Sequence, residues 1–322
     1  MRRKLQKYTL SVIEVKILKT ITEGSHSLYV LRKNLSIKPS FLSKNLKKLR
    51  QKDFIIVERR GPALEKSKSW KHVDLSNSKH ASLMRDLLLA YNHINWENIL
   101  SGLGIEVLFW ILNHTEINYE SFSKVAFWRY TKEFMGFGLV TLDDRGYSIN
   151  PRFSVLTDFL NEYQKFWLNN LVRSISRDAL ILWQKGFEML VRMPKDTNVS
   201  NGQFFKTATS CFDEFGIPIV SDFDIYFYSN VKKKIRVEDA IIHTLLIEKD
   251  NTRYVTYALL LLRKKLGTID EDYLLREAQR VDTGLQVNAM LLFLRTKGER
   301  TGRTLPTWVE FMTRVREYEG VD

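Results

Sequence analysis

Three amphipathic segments followed by two strand-like runs near the start of the chain constrain the fold more than any other feature of the sequence. Apolar side chains recur at helical spacing in each segment, and β-branched and aromatic residues dominate the two runs. The pattern predicts helices over residues 10–21, 27–35 and 40–51, and strands over residues 54–60 and 69–75. A small helical domain that ends in a β-hairpin follows from this order.

The third predicted helix has one apolar face and one basic face. Leu42, Leu46 and Leu49 have the spacing of a single buried stripe. Pro39 precedes them, and proline suits the first turn of a helix but not its interior. Polar and basic side chains occupy the other faces: Ser40, Ser43, Lys44, Lys47 and Lys48.

The positive charge of the chain is concentrated in this region. The net charge is +13, and the first 80 residues hold 20 Lys and Arg against 6 Asp and Glu. The other 242 residues hold 30 basic and 31 acidic side chains. A charge excess confined to one module favours a polyanion-binding surface there over a generally basic protein, although a solvated basic face without a partner remains the alternative.

The stretch SLYVLRKNLSIKPSFLSKNLKKLRQKDFIIVER resembles the winged helix-turn-helix domain of MarR/ArsR-like regulators, of archaeal type. The resemblance is generic to that fold and spans residues 28–57 and the wing after them. It implies that the third helix enters the major groove of double-stranded DNA and that the hairpin touches the adjacent backbone or minor groove. The side chains it places toward DNA are Ser40, Ser43, Lys44, Lys47 and Lys48 on the helix, and Arg59, Arg60, Lys66 and Lys68 on the wing.

A linking helix and a second module of similar order follow. Residues 79–101 have an apolar face interrupted by the sequence NHINWEN. The pattern then predicts helices over residues 105–113, 119–127 and 128–137, a hairpin over residues 139–149, and a long amphipathic helix over residues 153–175. This order resembles a second winged helix.

The overall charge of the second module argues against DNA binding. Residues 96–175 hold 7 basic and 9 acidic side chains, and Asp143 and Asp144 lie at the predicted hairpin tip, where they would repel phosphate. We therefore expect Phe127, Trp128 and Tyr130 to be core or interface residues, and the module to serve packing or dimerisation.

The C-terminal part of the chain has a different pattern. Short alternating runs predict strands over residues 181–184, 187–192, 217–220 and 223–228, and longer periodic segments predict helices over residues 237–247, 252–265, 271–280 and 284–295. The segments VEDAIIHTLL, RYVTYALLLL and IDEDYLLREAQRV resemble the C-terminal domains of regulators related to abortive-infection antitoxins. Some of those domains are thought to be relics of the nucleotidyltransferase fold.

One pair of carboxylates is compatible with that chemistry. Asp222 and Asp224 would share one face of a strand and could hold Mg²⁺ for nucleotidyl transfer. The stretch upstream of them, KTATSCFDEFGIP, lacks the Gly-Ser pair that would hold a triphosphate. Glu238 or Asp239 could act as a third carboxylate, but both also suit the N-terminus of a helix. We therefore expect no enzymatic activity and keep a nucleotidyltransferase-like enzyme or toxin–antitoxin component as the alternative function.

No other residues form a recognisable catalytic or cofactor-binding pattern. Cys211 is the only cysteine, so the chain can form no internal disulfide, and its pairing with His243 would lack an orienting third group. The six histidines have no metal-ligand spacing, and no P-loop or dinucleotide-binding glycine motif is present. The basic run Arg295, Lys297, Arg300 and Arg303 is interpreted as a solvated loop. We expect neither a cofactor nor a metal.

These observations predict a mainly α fold with small sheets (α+β), built from tandem winged helix-turn-helix modules and an α/β C-terminal domain. The predicted boundaries are residues 1–78, 79–101, 102–175 and 176–322. Double-stranded DNA is the expected partner, homodimerisation is left open, and no apolar run approaches the roughly 20 residues that cross a bilayer. The predicted function is that of a cytoplasmic DNA-binding transcriptional regulator whose C-terminal domain is a sensory or interaction module.

Overall fold

The chain folds into two units, Met1–Leu168 and Asn169–Asp322, and each is described separately. The computed structural model describes residues 8–60, 70–113, 123–144, 146–199, 202–229, 234–248, 251–298 and 304–319. The predicted fold class is confirmed, since the chain is mainly helical with small antiparallel sheets. Within the described ranges, no helix combines the length and apolar character needed to cross a membrane.

The first module of unit 1 combines three helices with a three-stranded antiparallel sheet. Its elements are α1 (Val12–Ile21), β1 (His26–Ser27), α2 (Leu28–Leu35), α3 (Pro39–Gln51), β2 (Ile55–Arg60) and β3 (Trp70–Leu75). The sheet has the order β1-β3-β2, and both pairings are antiparallel. The three predicted helices and the hairpin are therefore confirmed, and the two-residue strand β1 is an addition.

Each helix of this module begins at a residue suited to that position. Ser11 and Glu14 form a capping box at the start of α1, because each side chain accepts a hydrogen bond from the other residue's backbone N–H. The Ser27 hydroxyl caps α2, and Pro39 occupies the first turn of α3. The helices therefore begin where the sequence predicts within one or two residues.

The linking segment and the second module follow within unit 1, apart from the end of the last helix. Their elements are α4 (Lys79–Ala90), α5 (Trp96–Ile99), α6 (Leu103–Asn113), α7 (Lys124–Gly136), β4 (Val140–Asp143), β5 (Gly146–Ile149) and α8 (Ser154–Ile175). The predicted break in the linking helix, the β4–β5 hairpin and the long helix α8 are confirmed. The predicted separation of helices between Phe127 and Trp128 is wrong. No proline or glycine interrupts α7 there, and residues 119–122 of the first predicted helix lie outside the described ranges.

Unit 2 packs helices against a four-stranded sheet. Its elements are β6 (Leu180–Lys185), β7 (Glu188–Pro194), β8 (Phe204–Lys206), β9 (Phe223–Tyr228), α9 (Val237–Ile247), α10 (Thr252–Lys265), α11 (Glu271–Arg280), α12 (Gly284–Thr296) and α13 (Trp308–Glu319). The sheet order is β6-β7-β9-β8, and every pairing is antiparallel. This unit is therefore α+β, and the α/β description from sequence is corrected, because its strands are not joined by parallel crossovers.

Other differences from the predicted elements have local causes. The strand predicted over residues 217–220 does not form. Pro218 lacks a backbone N–H for a sheet ladder, and Val220 is 91% exposed. Residues 217–220 have no regular structure, and a 3₁₀ helix that the sequence did not indicate, Ala208–Phe215, precedes them and packs against α9 and β9. Its buried residues join the apolar core between the sheet and the helices, together with Phe227 and Leu259.

Candidate nucleic-acid interface

The solvent-facing side of α3 carries all five side chains that the sequence assigns to DNA on this helix. Leu42, Leu46 and Leu49 are buried against the rest of the module. The side chains on the opposite side are exposed: Ser40, Ser43, Lys44, Lys47 and Lys48. One amphipathic helix thus separates the core from a polar, basic surface.

The three lysines on this surface are not neutralised by described carboxylates. Lys44, Lys47 and Lys48 form no ion pair within the described part of the chain, in contrast to Lys52 one turn later. An exposed ammonium without a nearby carboxylate keeps its full charge available to a phosphate. The surface can therefore contact a polyanion without first breaking an internal ion pair.

The structure describes part of the predicted wing. Arg59 is exposed on β2 and lies opposite the exposed Lys71 of β3 in the antiparallel register. Arg60 lies in β2, but its side chain is not among those described. Lys66 and Lys68 lie outside the described residues.

A groove beside α3 adds cations that the sequence analysis did not single out. It has a volume of about 380 Å³ and an apolar floor that includes Leu28 and Val57. Its basic rim contains Lys47, which the sequence already assigns to DNA, and three further cations: Arg32 of α2, Arg50 of α3 and Lys71 of β3. Arg32 and Lys71 are far apart in sequence and meet only through folding, so no local spacing could have indicated them.

A buried network holds the C-terminal end of α3. The ammonium of Lys52 donates hydrogen bonds to Oε1 of Glu14 (3.0 Å) and to the carbonyl of Thr9 (2.8 Å). Burial lowers the pKa of Lys52, while the charge and hydrogen bond of Glu14 oppose that shift. The next residue, Asp53, accepts a 2.7 Å hydrogen bond from the Ser78 hydroxyl at its carbonyl. These contacts hold the C-terminal end of α3, and with it the polar, basic surface of this helix, against α1.

Aromatic packing reinforces the same end of α3. Phe54 is fully buried, with its ring 4.8 Å from His80 and 5.0 Å from Tyr163. The His80 ring donates a 3.0 Å hydrogen bond to the carbonyl of Lys52 and lies 4.4 Å from Phe166. The pKa of His80 is lowered, because burial disfavours the charged ring more than nearby acceptors favour it. The helix that follows the wing and the long helix α8 thus support the base of α3.

The aromatic residues of the second module have different environments. Phe127 is buried and packs edge-on against Trp110, and Tyr130 is half-buried. Trp128 is 59% exposed, so it is not a core residue of unit 1. Its ring lies 5.0 Å from the ammonium of Lys132.

The carboxylate pair in unit 2 is not arranged as an open metal site. Asp222 is exposed and precedes β9. Asp224 is buried, and its Oδ1 forms an ion pair with the ammonium of Lys206 of β8 at 3.1 Å. Burial lowers the pKa of Lys206, but the hydrogen bond and charge of Asp224 outweigh this effect and raise it. The described residues contain no cluster of three His, Cys, Asp or Glu side chains that could hold a metal.

The acids considered as a third ligand form a helix-capping network. Asp239 accepts a 2.8 Å hydrogen bond from the backbone N–H of Arg236 and a 2.9 Å bond from the Tyr273 hydroxyl. Glu238 accepts a 3.1 Å bond from the Arg236 side chain and a 2.9 Å bond from the backbone of Asp270. Both carboxylates are buried at the first turn of α9, where the helix dipole favours acids.

Cys211 and His243 have separate partners. The thiol of Cys211 donates to the carbonyl of Ala208, and burial raises its pKa to about 12. His243 shares a 2.8 Å hydrogen bond with the Thr207 hydroxyl and stacks on Phe227. The two side chains are therefore satisfied in the core of unit 2.

The basic run near the end of α12 is only partly described. Nη2 of Arg295 donates to both carboxylate oxygens of Glu271, at 2.8 Å and 2.6 Å. Lys297 ends α12 in the left-handed conformation. Arg300 and Arg303 lie outside the described residues.

One known family matches part of the chain. Residues 201–320 match a family model described as HVO_2833_C, C-terminal, a description that names no activity or ligand. The match covers less than half of the 322 residues and falls within unit 2. No curated protein and no solved structure gives a significant match.

Proposed function

We propose that this chain is a DNA-binding transcriptional regulator of MarR/ArsR-like winged helix-turn-helix type. In this proposal α3 enters the major groove, and Arg59 and the neighbouring wing residues contact the backbone. The order of elements and the β1-β3-β2 sheet support it, because this topology presents α3 on the surface beside the hairpin.

The observation that carries the proposal is the exposed basic face of α3. Lys44, Lys47 and Lys48 occupy the side of the helix opposite its buried leucines and have no described carboxylate partner. Neutralising phosphates with such side chains releases counterions, and this release supplies much of the affinity for DNA. The concentration of charge in the first 80 residues supports the same surface.

The C-terminal unit is proposed as a sensory or interaction module, and the resemblance to antitoxin-related regulators belongs to this proposal. A groove of about 700 Å³ with both polar and apolar lining residues lies between α10 and α13 and could admit an effector. Arg253 and Tyr257 line one side of it, and Arg314 and Tyr318 line the other. The proposal leaves open whether two copies of the chain form a homodimer.

Salt-dependent DNA binding tests the proposed function. The full chain is titrated with a labelled duplex of mixed sequence, and log K is measured against log salt concentration. Lys44→Ala with Lys47→Ala should lower the magnitude of the slope by about 1.8, since each phosphate contact contributes about 0.9. Lys16→Ala with Lys195→Ala removes two exposed cations, from α1 and from the residue after β7, neither of which forms an ion pair with a described carboxylate, and serves as the charge-matched control.

The control variant separates the loss of cations on α3 from a general loss of positive charge. We expect the control variant to keep the wild-type slope and affinity, because its cations lie outside the α3 face. Equal slopes for the α3 variant and the wild type would contradict the assigned DNA-binding face. Absence of any salt-dependent binding by the wild type would contradict the proposed function as a whole.

A further inference from the structure

Helix α7 of the second module repeats the geometry of α3. Both helices have 13 residues, and each is followed after three residues by a strand of a hairpin. The positions correspond with an offset of 85 residues, the difference between the first residues Pro39 and Lys124. The segment between α6 and α7 lies largely outside the described residues, so the comparison rests on the helix, the turn and the strand.

The turn after each helix has the same backbone hydrogen bonds. Phe54 donates its N–H to the carbonyl of Leu49 at 3.0 Å, and Leu139 donates to the carbonyl of Phe134 at 2.9 Å. Asp53 and Gly138, at corresponding positions, both have positive φ, 53° and 71° respectively. A non-glycine residue with positive φ is uncommon, so this shared conformation is a specific point of similarity.

The buried faces of the two helices also correspond. The core positions of α3 match the core positions of α7 in the pairs Leu42 and Phe127, Leu46 and Thr131, and Leu49 and Phe134. All six side chains are buried. Because the buried faces match, the solvent faces of α3 and α7 present the same positions.

Two cations recur on that solvent face. Arg129 occupies the position of Lys44, and Lys132 occupies the position of Lys47, with all four side chains exposed. Neither Arg129 nor Lys132 forms an ion pair with a described carboxylate. Trp128 stands at the position of Ser43 and holds the Lys132 ammonium 5.0 Å from its ring.

The acidic residues of this module lie mostly away from that face. Glu133 is half-buried and occupies the position of Lys48, one turn after Arg129, but it is the one acidic residue of α7, beside the basic residues Lys124, Arg129 and Lys132. Asp143 and Asp144 are exposed on the β4–β5 hairpin. This hairpin follows α7 as the β2–β3 hairpin, with the exposed Arg59 and Lys71, follows α3. The net negative charge of the module therefore does not describe the α7 surface, and any phosphate contact would involve the helix rather than the hairpin.

We infer that α7 is a second DNA-contacting helix, in which Arg129 and Lys132 bind phosphates of double-stranded DNA. The inference rests on the proposed function, because it assigns to α7 the role proposed for α3. Trp128 positions the Lys132 ammonium and covers the sugar–phosphate backbone with its exposed ring. Recurrence of cations at two matching positions favours DNA over an acidic protein as the partner, since a protein partner would not require the α3 arrangement.

The experiment compares two pairs of substitutions in the full chain. Arg129→Ala with Lys132→Ala is titrated with the same labelled duplex beside Lys44→Ala with Lys47→Ala. Loss of two phosphate contacts should weaken binding by about 60-fold at 0.1 M salt and lower the slope magnitude by about 1.8. Arg129→Lys with Lys132→Arg keeps both charges and should retain most of the affinity.

The outcomes separate this inference from the proposed function. If the α3 variant loses affinity while the α7 variant keeps the wild-type slope, the role of α7 is refuted and the proposed function stands. If the α7 variant changes the sedimentation of the free protein but not the salt slope, α7 is an interface between copies and the inference is refuted. Circular dichroism checks folding, and the α3 and α7 positions are exposed, so alanine should be tolerated.

Discussion

The ammonium of Lys52 lies 3.0 Å from Oε1 of Glu14, and both side chains are buried. Glu14 also accepts the backbone N–H of Ser11 at 2.7 Å through its other oxygen. One carboxylate therefore caps α1 and binds the residue that ends α3. The start of the first helix and the end of the proposed recognition helix are joined by a single buried charge pair.

Glu14→Gln should destabilise unit 1 markedly. The substitution leaves the Lys52 ammonium buried without its counter-charge, and breaking a buried pair in this way costs about 3–5 kcal/mol. Urea unfolding followed by circular dichroism measures the change. Glu23→Gln, at an exposed position just after α1, is the matched control and should change stability little.

A double substitution separates the lost pair from the lost cap. Glu14→Gln with Lys52→Met removes the uncompensated charge and should recover part of the stability that Glu14→Gln loses. Similar unfolding free energies for Glu14→Gln and Glu23→Gln would contradict the assignment of a buried, energetically important pair.

His80 should make unit 1 less stable as the pH falls below its ordinary pKa of 6.5. Burial lowers the pKa of His80 in the folded chain, although the Lys52 carbonyl and the charges of Asp53 and Glu162 raise it. Between the lowered folded pKa and 6.5, the unfolded chain binds more protons, so the free energy of unfolding decreases toward low pH, by at most about 1.4 kcal/mol per pH unit.

Comparison of His80→Phe with His93→Gln measures this effect. His93 is exposed, so its substitution should leave the pH dependence of the unfolding free energy unchanged. His80→Phe should reduce that dependence between pH 5 and 7, and thermal unfolding at fixed pH steps measures the difference. Identical pH profiles for wild type and His80→Phe would refute the role of the buried imidazole.

The local part of the interface could be predicted from sequence. The spacing of Leu42, Leu46 and Leu49 defines the buried face of α3, and the position of Pro39 marks its first turn. These signals lie within one element and depend on helical periodicity alone. The exposed lysines follow directly, because they occupy the remaining faces of the same helix.

Features that depend on distant partners could not be predicted. His26 and Ser27 form a strand only because β3 lies beside them, and two residues are too few for a periodic pattern. The rim position of Lys71 likewise requires the fold. The basic face of α7 was obscured because net charge was averaged over the module, whereas Arg129 and Lys132 share one surface.

Cys211 should resist alkylation while unit 2 is folded. Burial, followed by the charges of Glu214 and Asp213, raises the pKa of the thiol to about 12. At pH 8 only about one thiol in ten thousand would then be ionised, and the thiolate is the reactive form. Because this is the only cysteine, iodoacetamide labelling followed by mass spectrometry reports on it alone. Fast labelling of the native protein at the rate seen in guanidinium would contradict the buried assignment.

Replacing Asp222 and Asp224 together by asparagine should leave DNA binding unchanged. We expect no nucleotidyl transfer by the wild type, so the double variant should have no such activity to lose. Asp224 is occupied by Lys206 at 3.1 Å, and the exposed Asp222 has no third carboxylate beside it among the described residues. Phosphoryl-type transfer depends almost entirely on metal ions and positioning of the triphosphate, which this arrangement does not provide.

The wild-type chain is incubated with labelled nucleoside triphosphates, Mg²⁺ and RNA or protein acceptors. Label incorporation that disappears in the double variant would place the protein among nucleotidyl-transferring enzymes and overturn this prediction.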